Sequence, residues 1–488
     1  MQSTVAVRGR DNDSLLDAPL ARDGSGRYFI PGSSLAGVMR AYALNEWGDS
    51  AALKSLFGSP DSASRLCVAD SPVDVANCYL EICDHVSIDR HRGAAADRHK
   101  FDQQRWLAGT QFALYLCAEF SKDPSAAAAE KSLLTDLAQA MMAGQIRLGA
   151  KTARGQGEVE LINAQTRSVK LEKHGLIEFL ANGQSWASLP LAPATSKHAF
   201  VSFSVAFTAE QPLMMKAGHS GKRIDIIPRT QRHADGTHRL LLSGHAIAGV
   251  LRTRAEKIVR TLLDLQAPAK FLDQIDVPIV NTLFGAAKTR QGSKTAGVES
   301  ARRALLQVAD CLSVTHALSD GELATLGDSE SLQVCTNGSF KPLWSVALDR
   351  WTQAPKDGAL FNVLVPVAAV WSGVTLRYEV HPGVPEKLHQ ACVGLLLHVL
   401  ADLHRGELAF GFGTRRGLGA IKVNSIDIAP SSNAPEWLKK LPEKPSDLTA
   451  ETWKAIVGSD DPISAWHQET RPATSEAAHA DKDNQEAA

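Results

Sequence analysis

The sequence predicts an α+β protein: two tandem ferredoxin-like (RRM-like) modules with hairpin insertions, followed by a partly disordered C-terminal tail. Three observations predict it. Five sequence blocks recur in the same order in the two halves of the chain. Each half reads as strand, helix, strands, helix, strand, which is the order of a split βαβ module. Beyond Val423 the text loses its strand pattern, and from Ala429 it is acidic.

The repeats are specific. Ile30-Pro-Gly-Ser-Ser-Leu-Ala-Gly-Val-Met-Arg40 is echoed by Leu242-Ser-Gly-His-Ala-Ile-Ala-Gly-Val-Leu-Arg252, and Leu56-Phe57-Gly58 by Leu283-Phe284-Gly285. Val68-Ala69-Asp70 returns as Val308-Ala309-Asp310, and His85-Val-Ser-Ile-Asp-Arg90 as Ser345-Val-Ala-Leu-Asp-Arg350. Leu148-Gly-Ala-Lys-Thr-Ala-Arg-Gly-Gln-Gly157 matches Phe410-Gly-Phe-Gly-Thr-Arg-Arg-Gly-Leu-Gly419.

In the first half, the Pro31-Gly32 turn opens a helix over 33–46, with Ser33 and Ser34 as cap candidates and Leu35, Val38, Met39 and Tyr42 on one face. Strands are expected at 79–82 and 111–117, and a second helix at 126–142. In the second half, residues 200–207 alternate apolar and polar as a strand, 245–265 and 386–403 read as helices, and 375–380 as a strand. The modules are expected at 1–175 and 196–428, joined by a linker at 176–195 that is rich in Ser, Pro and Ala from Gly183. The acidic tail spans 429–488, with short helices expected at 437–440 and 449–457. Only 31 residues precede Gly32, whereas 44 run from Phe200 to the residue before Gly244. A central strand of the first module is therefore expected to be short or missing, with residues 4–8 as a stub or the start codon set too late.

Composition excludes several classes. The 488 residues are 44% hydrophobic and 22% charged, an ordinary balance for a globular protein of more than one domain. The most apolar stretch, 361–376, is interrupted by Asn362, Pro366 and Ser372, so no membrane span is expected. The first residues lack an apolar leader, and a cytoplasmic protein is expected. Seven cysteines without a C-x-x-C pair predict neither a disulfide framework nor a zinc ribbon, and Cys78, Cys83 and His85 are too loosely spaced for a closed metal site. The tail holds 6 Lys and Arg against 11 Asp and Glu, a net −5, which leaves +4 for the rest of a chain whose total is −1. Nucleic-acid binding would have to come from local basic clusters.

Such clusters exist. The turns at Gly32 and Gly244 open helices, and a helix N-terminus with small side chains lets a phosphate approach; Ser33, Ser34 and His245 add donors, and Arg40 and Arg252 follow on those helices. Lys151, Thr152, Arg154, Gly155 and Gly157 combine cations, a hydroxyl and backbone amides, and Thr414, Arg415, Arg416, Gly417 and Gly419 repeat the chemistry. Arg90, Arg92, Arg98 and Lys100 form a basic loop, and its counterpart carries Arg350, Trp351 and Lys356, a wedge able to stack on a base. Asp89 and Asp349 read as structural ion pairs or caps.

These motifs in this order resemble the RAMP superfamily backbone subunits of type III CRISPR effector complexes. The resemblance rests on Asp17-Ala-Pro-Leu-Ala-Arg-Asp-Gly before the Pro-Gly turn, Leu-Phe-Gly, Ile88-Asp-Arg, Gly109-Thr-Gln-Phe and Arg154-Gly-Gln-Gly, and covers nearly all of 12–162 and, more weakly, 200–424. It implies a scaffold for CRISPR RNA that contacts target single-stranded RNA, other RAMP backbone subunits, a small subunit and a polymerase-like large subunit in antiviral defence. It also implies that the hairpins after residues 88 and 348 act as thumbs that kink the guide. Asp17 falls where catalytic members carry the aspartate that, with Mg²⁺ or Mn²⁺, cleaves target RNA through the RNA's own 2′-hydroxyl. Aligning Asp235-Gly236 with Asp23-Gly24 sets Arg229 opposite Asp17, so the second module is expected to be inactive unless a shifted loop brings in Asp225. Two alternatives stay open: a non-catalytic scaffold, and a guide-processing endonuclease that uses one of the 16 histidines (His85, His91, His99 and His245 among them) as general base.

Overall fold

The computed structural model describes residues 1–9, 16–89, 94–170, 172–182, 186–194, 198–218, 220–221, 223–233, 235–266, 268, 274, 277–286, 303–326, 339–445, 463–464 and 466. Arg90, Arg92, His91, the expected helix at 449–457 and most of the acidic tail lie outside them. The chain is a mixed α/β protein with small antiparallel sheets. It divides into two units: residues 1–85, 101–197 and 232–236 form one, and 86–100, 198–231 and 237–488 the other.

In the first unit, α1 (Gly32–Trp47), α2 (Ala51–Phe57) and α3 (Pro124–Met142) supply most of a core built on Leu35, Met39, Leu53, Leu56, Leu133 and Leu137. The short strands β1 (Leu66–Val68) and β4 (Leu116–Ala118) pair antiparallel. Between them lies a long hairpin, β2 (Leu80–Asp89) and β3 (Ala94–Trp106), whose base is anchored by the fully buried Trp106.

In the second unit, β5 (Phe200–Ala209), α4 (Gly244–Leu262), β6 (Leu306–Val308), β9 (Val374–Glu379), α5 (Glu386–His404) and β10 (Ile421–Pro430) follow one another, and the sheet order is β6-β9-β5-β10, all antiparallel. Alternation fixes its inner face: Val201, Phe203, Val205 and Phe207 of β5 pack with Ile247, Leu251, Leu396 and Leu400 of the helices. The hairpin β7 (Phe340–Leu348) and β8 (Pro355–Pro366) belongs to this unit, which also takes in residues 86–100, the outer part of β2–β3.

Several expectations are corrected here. β10 runs to Pro430, past the point where the sequence loses its strand pattern. Its register shifts between Val423 and Ser425, so the buried set switches from Ile421 and Val423 to Ile426 and Ile428 and the alternation is broken by a bulge. Ala434, Leu438 and Leu441 join the second core, so the first part of the expected tail is packed. Within the expected linker, helical residues from Lys173 to Asn182 are followed by a pairing of Ala187–Ser188 with Gln165–Thr166, and Ala194 packs on the first core. The strand expected at 111–117 is confined to Leu116–Ala118.

The stub at residues 4–8 is buried at Val5, Ala6 and Val7 and pairs through Val5 with Trp106 (N to O 3.0 and 2.9 Å). It is not a remnant of a central strand. Gly157 N–H donates to Thr4 O and Ala150 N–H to Ala6 O, just as Gly419 N–H donates to Pro212 O and Phe412 N–H to Met214 O. Residues 4–6 are thus equivalent to 212–214, the segment that follows β5. Among the described residues no strand stands beside β1–β4 as β5 does beside β9, and Tyr115 and Leu116 are exposed.

Candidate nucleic-acid interface

Two repeated blocks turn out to be one device. Gly32 N–H donates to the Asp70 carboxylate (2.8 Å), and Gly244 N–H to Asp310 (2.7 Å). A Cβ on either glycine would lie 2.1 Å from Val68 O or 2.2 Å from Val308 O. The Pro-Gly turn and the Val-Ala-Asp motif therefore lock together, with the Asp carboxylate already at the positive end of the helix. This corrects the reading of Gly32 and Gly244 as phosphate donors: the glycines are required by close backbone packing, and their amides are occupied. Ser33 and Ser34 do not cap α1, whose N-cap is Pro31; in the second unit Ser243 accepts from Ala246 N–H and caps α4.

The second glycine-rich element is also a matched pair. Thr152–Arg154 and Thr414–Arg416 each form one 3₁₀ turn, bracketed by left-handed residues: Lys151 (φ 61°) and Gly155 (φ 80°), Gly413 (φ 74°) and Gly417 (φ 81°). Gly157 and Gly419 donate their amides to Thr4 and Pro212, so they too serve the fold rather than a phosphate. The cations remain. Lys151 Nζ donates to Gln103 Oε1 (2.8 Å) and sits 4.9 Å from the centre of the Phe101 ring, which His85 stacks on from 5.1 Å. Arg416 lies 4.8 Å from the Phe412 ring and 5.6 Å from that of Phe361, the counterpart of Phe101. Arg154 is half-buried, and Thr414, Arg415, Arg416 and Gly417 are exposed.

Asp17 meets the same strand. Its N–H donates to Asp102 Oδ1 (2.7 Å), its Oδ2 accepts from Asp102 N–H (3.0 Å), and Arg8 donates to its carbonyl (2.9 Å). Ala18 bridges to Gln103. Residues 101–103 of β3 thus gather the carboxylate loop and the cationic turn. The second unit repeats this with Asp225: its N–H donates to Asn362 Oδ1 (2.7 Å), its Oδ2 accepts from Asn362 N–H (2.9 Å), and Ile226 bridges to Val363. The pairings Arg8 with Leu20 and Lys216 with Pro228 carry the same register. Asp225, and not Arg229, is therefore the structural equivalent of Asp17. The four extra residues of the second half lie after Pro228, in the hairpin that leads to Gly244, whereas the alignment on Asp235-Gly236 had put them before Asp225.

The remaining positions are dispersed. Arg40 is exposed on α1 and His245 half-buried on α4. Arg98 has φ 58° and stands exposed beside Asp97 (3.8 Å), near exposed Lys100. At the β7–β8 tip, Arg350, Trp351 and Lys356 are exposed, Trp351 by 95%. Asp349 holds that turn by accepting the N–H groups of Trp351 and Thr352 (2.9 Å each), which lower its carboxyl pKa; Asp89 is buried and accepts from Gln274. Both aspartates act structurally.

Arg252 is turned inward. Its guanidinium donates to Glu256 (2.9 Å), Asn281 (2.7 Å) and Gly285 O (2.9 Å), so it braces α4 from within the protein. Arg252→Ala is expected to cost about 3 kcal/mol by stranding the buried Glu256 carboxylate. Thermal melting would register that loss, while RNA occupancy of the folded fraction stays unchanged.

In each unit of this α/β scaffold, a carboxylate loop and a cationic turn thus meet one hairpin strand. The RAMP superfamily model matches residues 4–160 and 206–422, and the chain belongs to that superfamily. Proteins of this kind bind CRISPR RNA and form multi-subunit complexes. No curated protein matches the chain. No helix among the described residues is long and apolar enough to cross a membrane.

Proposed function

We propose that this protein is a double backbone subunit of a type III RNA-guided effector complex, which holds CRISPR RNA and cleaves bound target RNA. One observation carries the reading: the carboxylate loop and the cationic turn converge on residues 101–103 of β3, and again on residues 361–363 of β8. The β-α-β-β-α-β order and the sheet order of the second unit support a ferredoxin-like module, and the exposed tip of β7–β8 supports a thumb. Because Asp225 is held as Asp17 is, cleavage is assigned to both units.

Asp17 Oδ2 is bonded to Asp102, and Oδ1 has no partner among the described residues. One exposed carboxylate oxygen suits Mg²⁺ or Mn²⁺, which take one or two carboxylates and otherwise coordinate phosphate and water. No group of three or more metal-ligating side chains occurs among the described residues, in keeping with an ion held chiefly by RNA. When bound, such an ion stabilises negative charge on the scissile phosphate. Asp17 and Asp225 fix where that charge is met, while Lys151, Arg154, Arg415 and Arg416 hold flanking phosphates without reading bases.

Chelation tests the reading. With EDTA, target cutting by the purified, guide-loaded complex is expected to stop and to return with Mg²⁺ or Mn²⁺; cutting that survives EDTA would favour a histidine-based nuclease. A second expectation concerns binding: Lys151→Glu with Arg154→Glu should lower co-purifying RNA for unrelated guides alike, and the deficit in affinity should be largest at low salt, because fewer phosphate contacts release fewer counterions. Unchanged RNA content would remove the turn from the interface.

A further inference from the structure

We propose that Asp102 is a positioning residue that fastens the Asp17 loop to hairpin strand β3, and that Asn362 does the same for Asp225 on β8. This rests on the reading of Asp17 and Asp225 as the cleaving carboxylates. In each unit two bonds run in opposite senses between two residues: the backbone N–H of each donates to the side-chain oxygen of the other. The ring they close fixes the carboxylate as well as the backbone. With Oδ2 tied to an N–H on the hairpin, the direction in which Oδ1 points is set.

The adjoining backbone continues the attachment. Gln104 N–H donates to Ala18 O (3.0 Å), and in the second unit Ile226 N–H donates to Asn362 O (3.2 Å) while Leu364 N–H donates to Ile226 O (2.9 Å). Each loop is thus zipped for a short distance onto a strand of the hairpin.

The difference between the two units separates position from charge. Where the first has Asp102, half-buried, the second has Asn362, only 3% exposed, whose Nδ2 also donates to Arg223 O (2.9 Å). A buried carboxylate there would be costly and could not donate that bond, whereas the amide satisfies every contact. Both side chains present the same Oδ1 to the same N–H. What the position requires is an acceptor oxygen, not a negative charge. The bonds also make the carboxylate loop and the thumb hairpin one mechanical piece, so that a phosphate seated against β3 is seated against Asp17.

Hydrogen exchange and cleavage kinetics of the guide-loaded complex test this. Asp102→Ala should speed exchange of the Asp17 amide at least about tenfold and lower kcat of the Asp17-dependent cut by about 10- to 100-fold, with KM, RNA content and the Asp225-dependent cut unchanged. Asp102→Asn should restore both. Asn362→Ala should do to the Asp225 amide what Asp102→Ala does to that of Asp17, and melting curves exclude general unfolding. Unchanged exchange in Asp102→Ala would overturn the proposal. So would an Asp102→Asn protein that protects the amide yet cuts as slowly as Asp102→Ala, since the charge itself would then be the working feature. If the unmodified complex cuts nothing, the cleavage reading fails, and amide exchange alone still decides whether the brace exists.

Discussion

Asp17→Ala is expected to abolish one target cut, slowing it by at least about 100-fold, while guide and target affinities stay within about twofold. The reason is the division of labour on β3. On the proposed reading, Lys151, on its αL-bracketed turn beside Gln103, and the hairpin cations meet phosphates in the ground state. The carboxylate acts mainly when charge develops on the phosphate, so its loss falls on the rate. Asp17 is solvent-exposed and its side chain accepts one described bond, from Asp102, so removing the carboxylate leaves the core intact. Asp225→Ala is expected to abolish a second, separate cut for the same reason, because the loop at 223–226 is attached to β8 as the loop at 16–18 is to β3. Arg229→Ala should leave both cuts in place. Loss of affinity equal to the loss of rate would mean that these loops bind RNA and do not cut it.

Gly419→Ala is expected to give a large stability loss. Gly419 has φ 77°, a conformation that L side chains adopt at a cost, and a Cβ there would lie 1.9 Å from Phe410 O. No flexible side chain can yield, because the obstacle is backbone in the hydrogen-bonded pair through which Phe410 N–H donates to Gly419 O (3.0 Å). Phe410 is fully buried beneath it in the second core. A loss of about 3 kcal/mol or more is expected, a fall in Tm on the order of 6–12 °C for a unit of this size. Gly417→Ala is the matched comparison. Its φ is 81°, but a Cβ there would meet nothing within 4 Å, so only the conformational cost of about 1 kcal/mol applies. Equal melting temperatures for the two variants would show that the tight approach of Gly419 to Phe410 is not what that glycine is for.

Much of this architecture was legible in the sequence. The alternation of residues 200–207 and the apolar spacing of Leu35, Val38, Met39 and Tyr42 marked β5 and α1, because a half-buried strand or helix writes its buried face directly into the residue order. What escaped was fixed by contacts distant in sequence. Asp70 could not be seen as the partner of the Gly32 amide, nor Asp102 as that of Asp17, because neither pairing leaves a periodic trace. The glycines of the turns were visible but their reason was not: a close approach to Val68 O or Phe410 O and an approach to a phosphate demand the same residue. β10 was cut short by its own bulge. The equivalence of Asp225 to Asp17 was recoverable in principle, had the repeat been anchored on residues 4–8 and 212–216, whose register is continuous through Leu20 and Pro228. An anchor on the surface turn at Asp235-Gly236 was misleading because hairpin turns absorb insertions freely.

On the proposed reading, each unit carries one working carboxylate held on its hairpin strand. The most direct measurement is the mapping of cut positions on an end-labelled target RNA by the guide-loaded complex, with the unmodified chain, Asp17→Ala, Asp225→Ala and the double variant side by side. Two cuts from this chain are expected, one removed by each single substitution and both by the double. A single cut that disappears with Asp17→Ala alone, or any cut by this chain that persists in the double variant, would contradict it.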